Sequence, residues 1–161
     1  MPRREGFENL EILKEEYEKI RKQYKLPSFD ELDREFELRK IDCDANLIKE
    51  IRRNILHKID NIIGLLEPIL DPKHTLHSFV ETKIFEKHNV EAMFAFYKKL
   101  WYLIHKGIQV SYVSEKAEVD FIKEMWEVWP ELKKQAAEYA KQIADGWAKA
   151  EKETFTDKYL Q

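Results

Sequence analysis

The chain is poor in the residues that interrupt or staple a fold. Its 161 residues hold one cysteine, four glycines and five prolines. A lone Cys43 excludes an intrachain disulfide framework and any zinc site built on paired cysteines. Four glycines, scattered singly, exclude the Gly-rich loops that cradle phosphates. Serine, threonine, asparagine and glutamine are also scarce. No stretch approaches the ~18–20 uncharged apolar residues of a membrane-spanning helix, and no apolar run follows Met1-Pro2-Arg3-Arg4-Glu5 to suggest a signal peptide. These features lead to the expectation of a soluble, cytoplasmic protein.

What remains is mostly apolar and charged. Hydrophobic residues make up 43% and charged residues 37%, against ~25% charged in typical soluble domains. The charge is dominated by lysine and glutamate, which lose little rotamer freedom in a helix. Thermophilic proteins share this Lys/Glu enrichment. The net charge of −3 is spread over both signs. There is no basic footprint for nucleic acid, and the only dense basic spots are Arg3-Arg4 and Arg52-Arg53.

Apolar residues recur at helical spacing along the whole chain. From Leu47 to Leu70 the steps are one, three and four, and on a wheel about half the circumference is apolar, which predicts a central core helix. Arg52 is the one charged residue set well inside that arc. An earlier helix over Glu8–Tyr24 carries a narrow seam of Leu10, Leu13, Tyr17, Ile20 and Tyr24, as in coiled coils. Ser28 and Glu31 form a capping-box pattern for a short second helix, and Asp44 or Asn46 is placed to cap the central one. Asp71-Pro72 suits the start of a fourth helix running to Lys87, with Leu76, Phe79 and Val80 toward the core. Asn89 is read as capping a fifth, with Gly107 as its stop. Ile108–Val113 has some strand character, and Ser114 is the next cap. A final Trp-rich helix from Glu115 to Lys152 passes through Pro130, where a kink or two abutting helices is expected.

The prediction is an all-α, five- or six-helix up-and-down bundle, with a long, kinked C-terminal helix. It forms a single domain over 1–161, with 1–7 and 153–161 as frayed tails.

Chemistry-bearing clusters are few. Arg52-Arg53-Asn54-Ile55-Leu56-His57 resembles the Arg-x4-His signature of HEPN domains, helical folds that include ribonucleases. That resemblance covers six residues and implies that Arg52 and His57 would jointly engage a scissile phosphate. A straight helix, at 100° per residue, turns the two about 140° apart, so the competing reading is an Arg52 whose stem runs over the core and whose head reaches solvent or a carboxylate. His74, His77 and Glu81, near Asp71, are the other candidates. On one helix they fall within about 60° of each other, within reach of one metal ion, yet the same spacing describes a solvated polar face. Cys43 lies between Asp42 and Asp44, whose charges oppose a thiolate. Most of Trp101, Tyr102, Trp126, Trp129, Tyr139 and Trp147 share the aliphatic stripes, and Glu124, Glu127 and Glu131 crowd the segment, so they read as core, or else as a helix–helix partner interface, rather than as base-stacking platforms.

The expected function is therefore a non-enzymatic protein–protein interaction or scaffold module that self-associates. Its homo-oligomer or partner contact would run through the N-terminal heptad seam or the Trp-rich C-terminal helix, without cofactor or membrane. The alternative is a nucleic-acid-associated, HEPN-like domain with ribonuclease activity.

Overall fold

A computed structural model describes residues 2–85 and 87–153. Among these the fold is all-α. Six α-helices are present: α1 (Pro2–Tyr24), α2 (Phe29–Phe36), α3 (Leu47–Leu70), α4 (Leu76–Ile84), α5 (Lys87–Val110) and α6 (Glu115–Ala150), with a 3-10 turn at Leu38–Lys40 between α2 and α3. None is long and apolar enough to cross a membrane. The chain forms two compact units. The first joins the described residues up to Ile59 with Leu103–Glu127, and the second joins Asp60–Tyr102 with those from Val128 onward.

Local chemistry sets most of the helix ends. Ser28 Oγ accepts the Glu31 N–H while the Glu31 carboxylate accepts the Ser28 N–H, closing the capping box. Asn46, rather than Asp44, caps α3 by accepting the Lys49 N–H at 3.0 Å. Ser114 caps α6 through the Ala117 N–H at 3.1 Å. The wheel drawn for α3 holds: Ile51, Ile55, Ile59 and Leu66 are fully buried.

In the first unit, the middle of the α1 seam is used internally, with Leu10, Ile20 and Tyr24 half-buried. Leu13 and Tyr17 are buried, Tyr17 meets Phe29 of α2 edge-on at 5.6 Å, and its phenol donates to the Pro27 carbonyl. Burial pushes the Tyr17 hydroxyl well above the ordinary phenol range. The seam therefore closes α2 onto α1.

The structure corrects five expectations. Helix α1 begins at Pro2 rather than Glu8; proline is tolerated there because the first helical N–H has no intrahelical partner. Helix α4 begins at Leu76 rather than at Asp71-Pro72, because Thr75 supplies the cap, its Oγ1 accepting the Ser78 N–H. Asn89 lies inside α5 instead of capping it, and Ile108–Val113 is the last turn of α5 and the bend after it, not strand. Gly107 is not a stop either. It is buried inside α5, where an added Cβ would lie 2.5 Å from Leu56 and 2.8 Å from the Phe121 ring. The glycine is there for close approach. Of the two outcomes expected at Pro130, two abutting helices are excluded: α6 is one helix from Glu115 to Ala150, about 54 Å at 1.5 Å per residue. Proline costs the helix one N–H donor, at the Trp126 carbonyl, while Trp129 and Leu132 are buried on either side of it.

Two glycines should respond oppositely to the same substitution. Gly64 of α3 is exposed with nothing within 4 Å of a new Cβ, so Gly64→Ala should stabilise by about 0.5–1 kcal/mol through backbone entropy. Gly107→Ala should destabilise by about 1–3 kcal/mol through overpacking, because Phe121, 1% exposed, has no room to retreat. Urea denaturation of the two variants checks both signs.

Candidate functional site

Arg52 is 6% exposed. Its Nε donates to Glu118 Oε2 of α6 at 3.3 Å, and its Nη1 donates to the Gly107 carbonyl of α5 at 3.1 Å. That carbonyl is one of the last four of α5, which lack partners within the helix. The next three are met by the following turn: Ile108 O by the Ser111 N–H, Gln109 O by Tyr112 and Val110 O by Val113. Arg52 meets the fourth. Helix α5 has no basic residue of its own in the last turn, so the guanidinium also places positive charge at the negative end of its dipole.

His57 is exposed. It lines a groove of about 530 Å³ with Glu37, Lys40, Glu50, Asn54 and Lys58, and Arg52 is not part of that groove. The structure thus does not bring Arg52 and His57 to one cleft. The groove's best-tied group is Glu37. It adopts a left-handed backbone (φ 56°) at the end of α2, and its carboxylate pairs with Lys40 and, at 3.0 Å, with Lys58 of α3. Hydrogen bonds from Lys40 and then Lys58 pull it down to about 2. One turn earlier on α3, Asn54 donates to the Phe36 carbonyl, so both α3 side chains hold the end of α2.

In the second unit, α4 presents the reverse of the expected faces. Leu76 and Phe79 are 66% and 41% exposed, whereas Ser78 and Glu81 are 4% and 5% exposed. Ser78, Glu81 and the buried Phe85 recur at steps of three and four. A carboxylate is buried here because partners meet it. Trp147 Nε1 donates to Glu81 Oε1 at 3.0 Å, and His77 Nε2 lies 3.3 Å from the same oxygen. The His77 and Trp147 rings lie 5.4 Å apart. Hydrophobicity alone placed Leu76 and Phe79 inward; the Trp147 donor, 66 residues from Glu81, overrides it.

Of the three candidate metal ligands, His77 and Glu81 come together, while His74 sits in the bend before α4, exposed. Two donors fall short of the three or four protein ligands that hold zinc. Among the described residues, the one trio of possible donors within 4.8 Å of each other is Asp42, Cys43 and Asp44, which the sequence reading weighed only for the reactivity of the Cys43 thiol. It is a short run of the 3-10-to-α3 turn, with Asp42 and Asp44 exposed.

The aromatics divide. Tyr139 packs between Phe96 at 5.9 Å and Phe85 at 6.2 Å, and Trp129 is buried. Trp147 is 36% exposed and, with Leu76, His77, Val80 and Ala150, lines an apolar groove of about 490 Å³. Sequence reasoning missed this groove. Its one legible signal was the inward spacing of Ser78, Glu81 and Phe85. Comparison of the chain with protein-family models, curated proteins and solved structures finds no match.

Two variants separate structural from exposed roles. Arg52→Ala leaves Glu118 and the Gly107 carbonyl uncompensated and should cost about 3 kcal/mol, whereas His57→Ala should stay within about 0.5 kcal/mol of the parent; chemical denaturation distinguishes them. Acid denaturation reports on Glu37. Its folded value of about 2 lies below the ordinary carboxylate range, so its contribution is complete above about pH 5 and lost as pH falls toward 2. Glu37→Gln should lower the thermal midpoint at neutral pH, and the gap to the parent should close on acidification. A gap independent of pH would remove the charge from the explanation.

Proposed function

We propose that the protein is a non-enzymatic interaction module that self-associates through its second unit. One observation carries the reading: α4 buries Ser78 and Glu81 and leaves Leu76 and Phe79 at the surface, with Leu76 lining one groove with Trp147. Large apolar side chains grouped next to an apolar groove mark interaction surfaces. The groups suited to chemistry support the same reading, because they are engaged in structure. Arg52 is held by Glu118 and Gly107, and Glu81 by Trp147. Among the described residues, Arg21 Nε is the only buried side-chain nitrogen or oxygen without a hydrogen-bond partner.

The HEPN-like alternative requires Arg52 and His57 at one phosphate, and the burial of Arg52 weighs against it. Of the α1 seam, Leu13 and Tyr17 are buried and Leu10, Ile20 and Tyr24 are half-buried, so the exposed end of the Trp-rich helix is the contact favoured here.

Size-exclusion chromatography with light scattering tests the proposal. The expected mass is twice the 19.5 kDa of one chain. A single-chain mass persisting to about 100 μM, where a Kd of about 10 μM would leave most chains paired, overturns self-association.

A further inference from the structure

Acidic residues are spread unevenly along the chain. Asp and Glu make up 31 of the 161 residues, yet none falls within 92–114 or within 19–29, the two longest acid-free stretches of the sequence. The first covers most of α5 and the bend after it, and the second covers the end of α1 and the link to α2. They lie far apart in the chain, and the first unit joins them. The Tyr24 hydroxyl donates to Glu115 Oε2 at 2.7 Å, and Glu115 directly follows the first stretch.

The acids at this junction are already engaged. Glu18 pairs with Arg21, Glu124 with Lys106 and Asp120 with Lys116, while Glu115 accepts from Tyr24. Lys22 and Lys25, at the end of α1, are exposed and take part in none of these pairs. These groups sum to a positive charge, in a chain whose net charge is −3.

The bend itself is uncharged. Across 107–114 there is no Asp, Glu, Lys or Arg, and Ile108, Tyr112 and Val113 are 42%, 86% and 65% exposed. Much of its polar backbone is tied internally. The N–H groups of Ser111, Tyr112 and Val113 donate to the Ile108, Gln109 and Val110 carbonyls. The Ser111 hydroxyl also donates to Ile108 O, and Ser114 Oγ accepts the Ala117 N–H. These groups keep their hydrogen bonds where water is excluded.

The lysines favour an anionic occupant and the bend an apolar one. Nucleic acid would satisfy the lysines but not the bend, because Ile108 and Val113 offer no ring on which a base could stack. A layer of acidic lipid headgroups satisfies both. Aliphatic side chains reach the acyl boundary, tyrosine suits the interface, and lysines meet the headgroup charge.

We propose that the α5–α6 bend and the end of α1 form a docking surface for an anionic lipid membrane. Docking of this kind lies on the bilayer surface and requires no spanning helix. It uses residues of the first unit alone, so it stands or falls independently of the self-association surface.

The test is co-sedimentation of the full chain with extruded vesicles of phosphatidylcholine, alone or with about one-third phosphatidylserine. Most of the chain should pellet with the anionic vesicles at about 1 mM lipid, and about tenfold less with phosphatidylcholine alone. Raising salt from about 0.1 M to about 0.5 M should release a large part of it, because the lysine contribution is screened. Tyr112→Ser/Val113→Ser should weaken binding about tenfold at both salt concentrations. Lys22→Gln/Lys25→Gln should weaken it several-fold and flatten the salt dependence. All four positions are exposed, and unchanged helical circular dichroism shows that the variants fold. Pelleting no greater than in a vesicle-free control overturns the proposal, as does parent-like binding by either double variant. Binding of a labelled oligo-uridylate that is lost in the lysine variant and kept in the Tyr112/Val113 variant, without binding to vesicles, assigns the surface to nucleic acid and overturns the lipid reading.

Discussion

The first unit depends on a single buried guanidinium. Arg52 lies among aliphatic residues of α3, a position that costs several kcal/mol for an unpaired charge. The cost is met because two other helices deliver acceptors to it: α6 the Glu118 carboxylate, α5 the Gly107 carbonyl. The carboxylate neutralises the charge, and the carbonyl would otherwise be an orphan of the helix end. Gly107 matters twice, since its missing Cβ lets α5 come close to Leu56 and Phe121 and so brings its carbonyl within reach of Nη1. Charge, carbonyl and glycine thus make one constraint, and it fixes the relative placement of three helix segments.

The sequence revealed this constraint in part. A helical wheel needs only local spacing, so the bounds of α3, its buried stripe and the anomaly of a charge within that stripe were all legible. The identity of the acceptors was not, because Glu118 lies 66 residues away and periodicity contains no information about which helices adjoin. Gly107 was misread for the same reason. A glycine near a helix end satisfies a C-cap pattern and a close-approach requirement equally well, and only the neighbours from α3 and α6 tell the two apart. The caps at Ser28, Asn46 and Ser114 were readable because each acts within three residues of itself.

Helix α4 shows where hydrophobicity misleads. It is nine residues long, and its two faces compete closely. Turning Leu76, Phe79 and Val80 inward would bury more apolar surface, at about 25 cal/mol per Å². It would also carry Glu81 to the surface, away from Trp147. The observed facing buries Ser78 and Glu81 with hydrogen bonds already in place: Thr75 donates to Ser78 Oγ at 3.0 Å and Trp147 to Glu81. A buried carboxylate without a donor would be prohibitive, so the indole N–H decides the roll of the helix.

That choice has a consequence for the surface. With Ser78 and Glu81 turned inward, Leu76 and Phe79 are left at the surface alongside His77 and Lys83. The exposure of Leu76 and Phe79 is therefore not an accident of loose packing; it is imposed by the Glu81–Trp147 bond. The same indole that holds Glu81 is itself 36% exposed and lines the groove beside those side chains. The polar bond beneath the helix and the apolar surface above it are two sides of one arrangement, and weakening the first would remove the reason for the second.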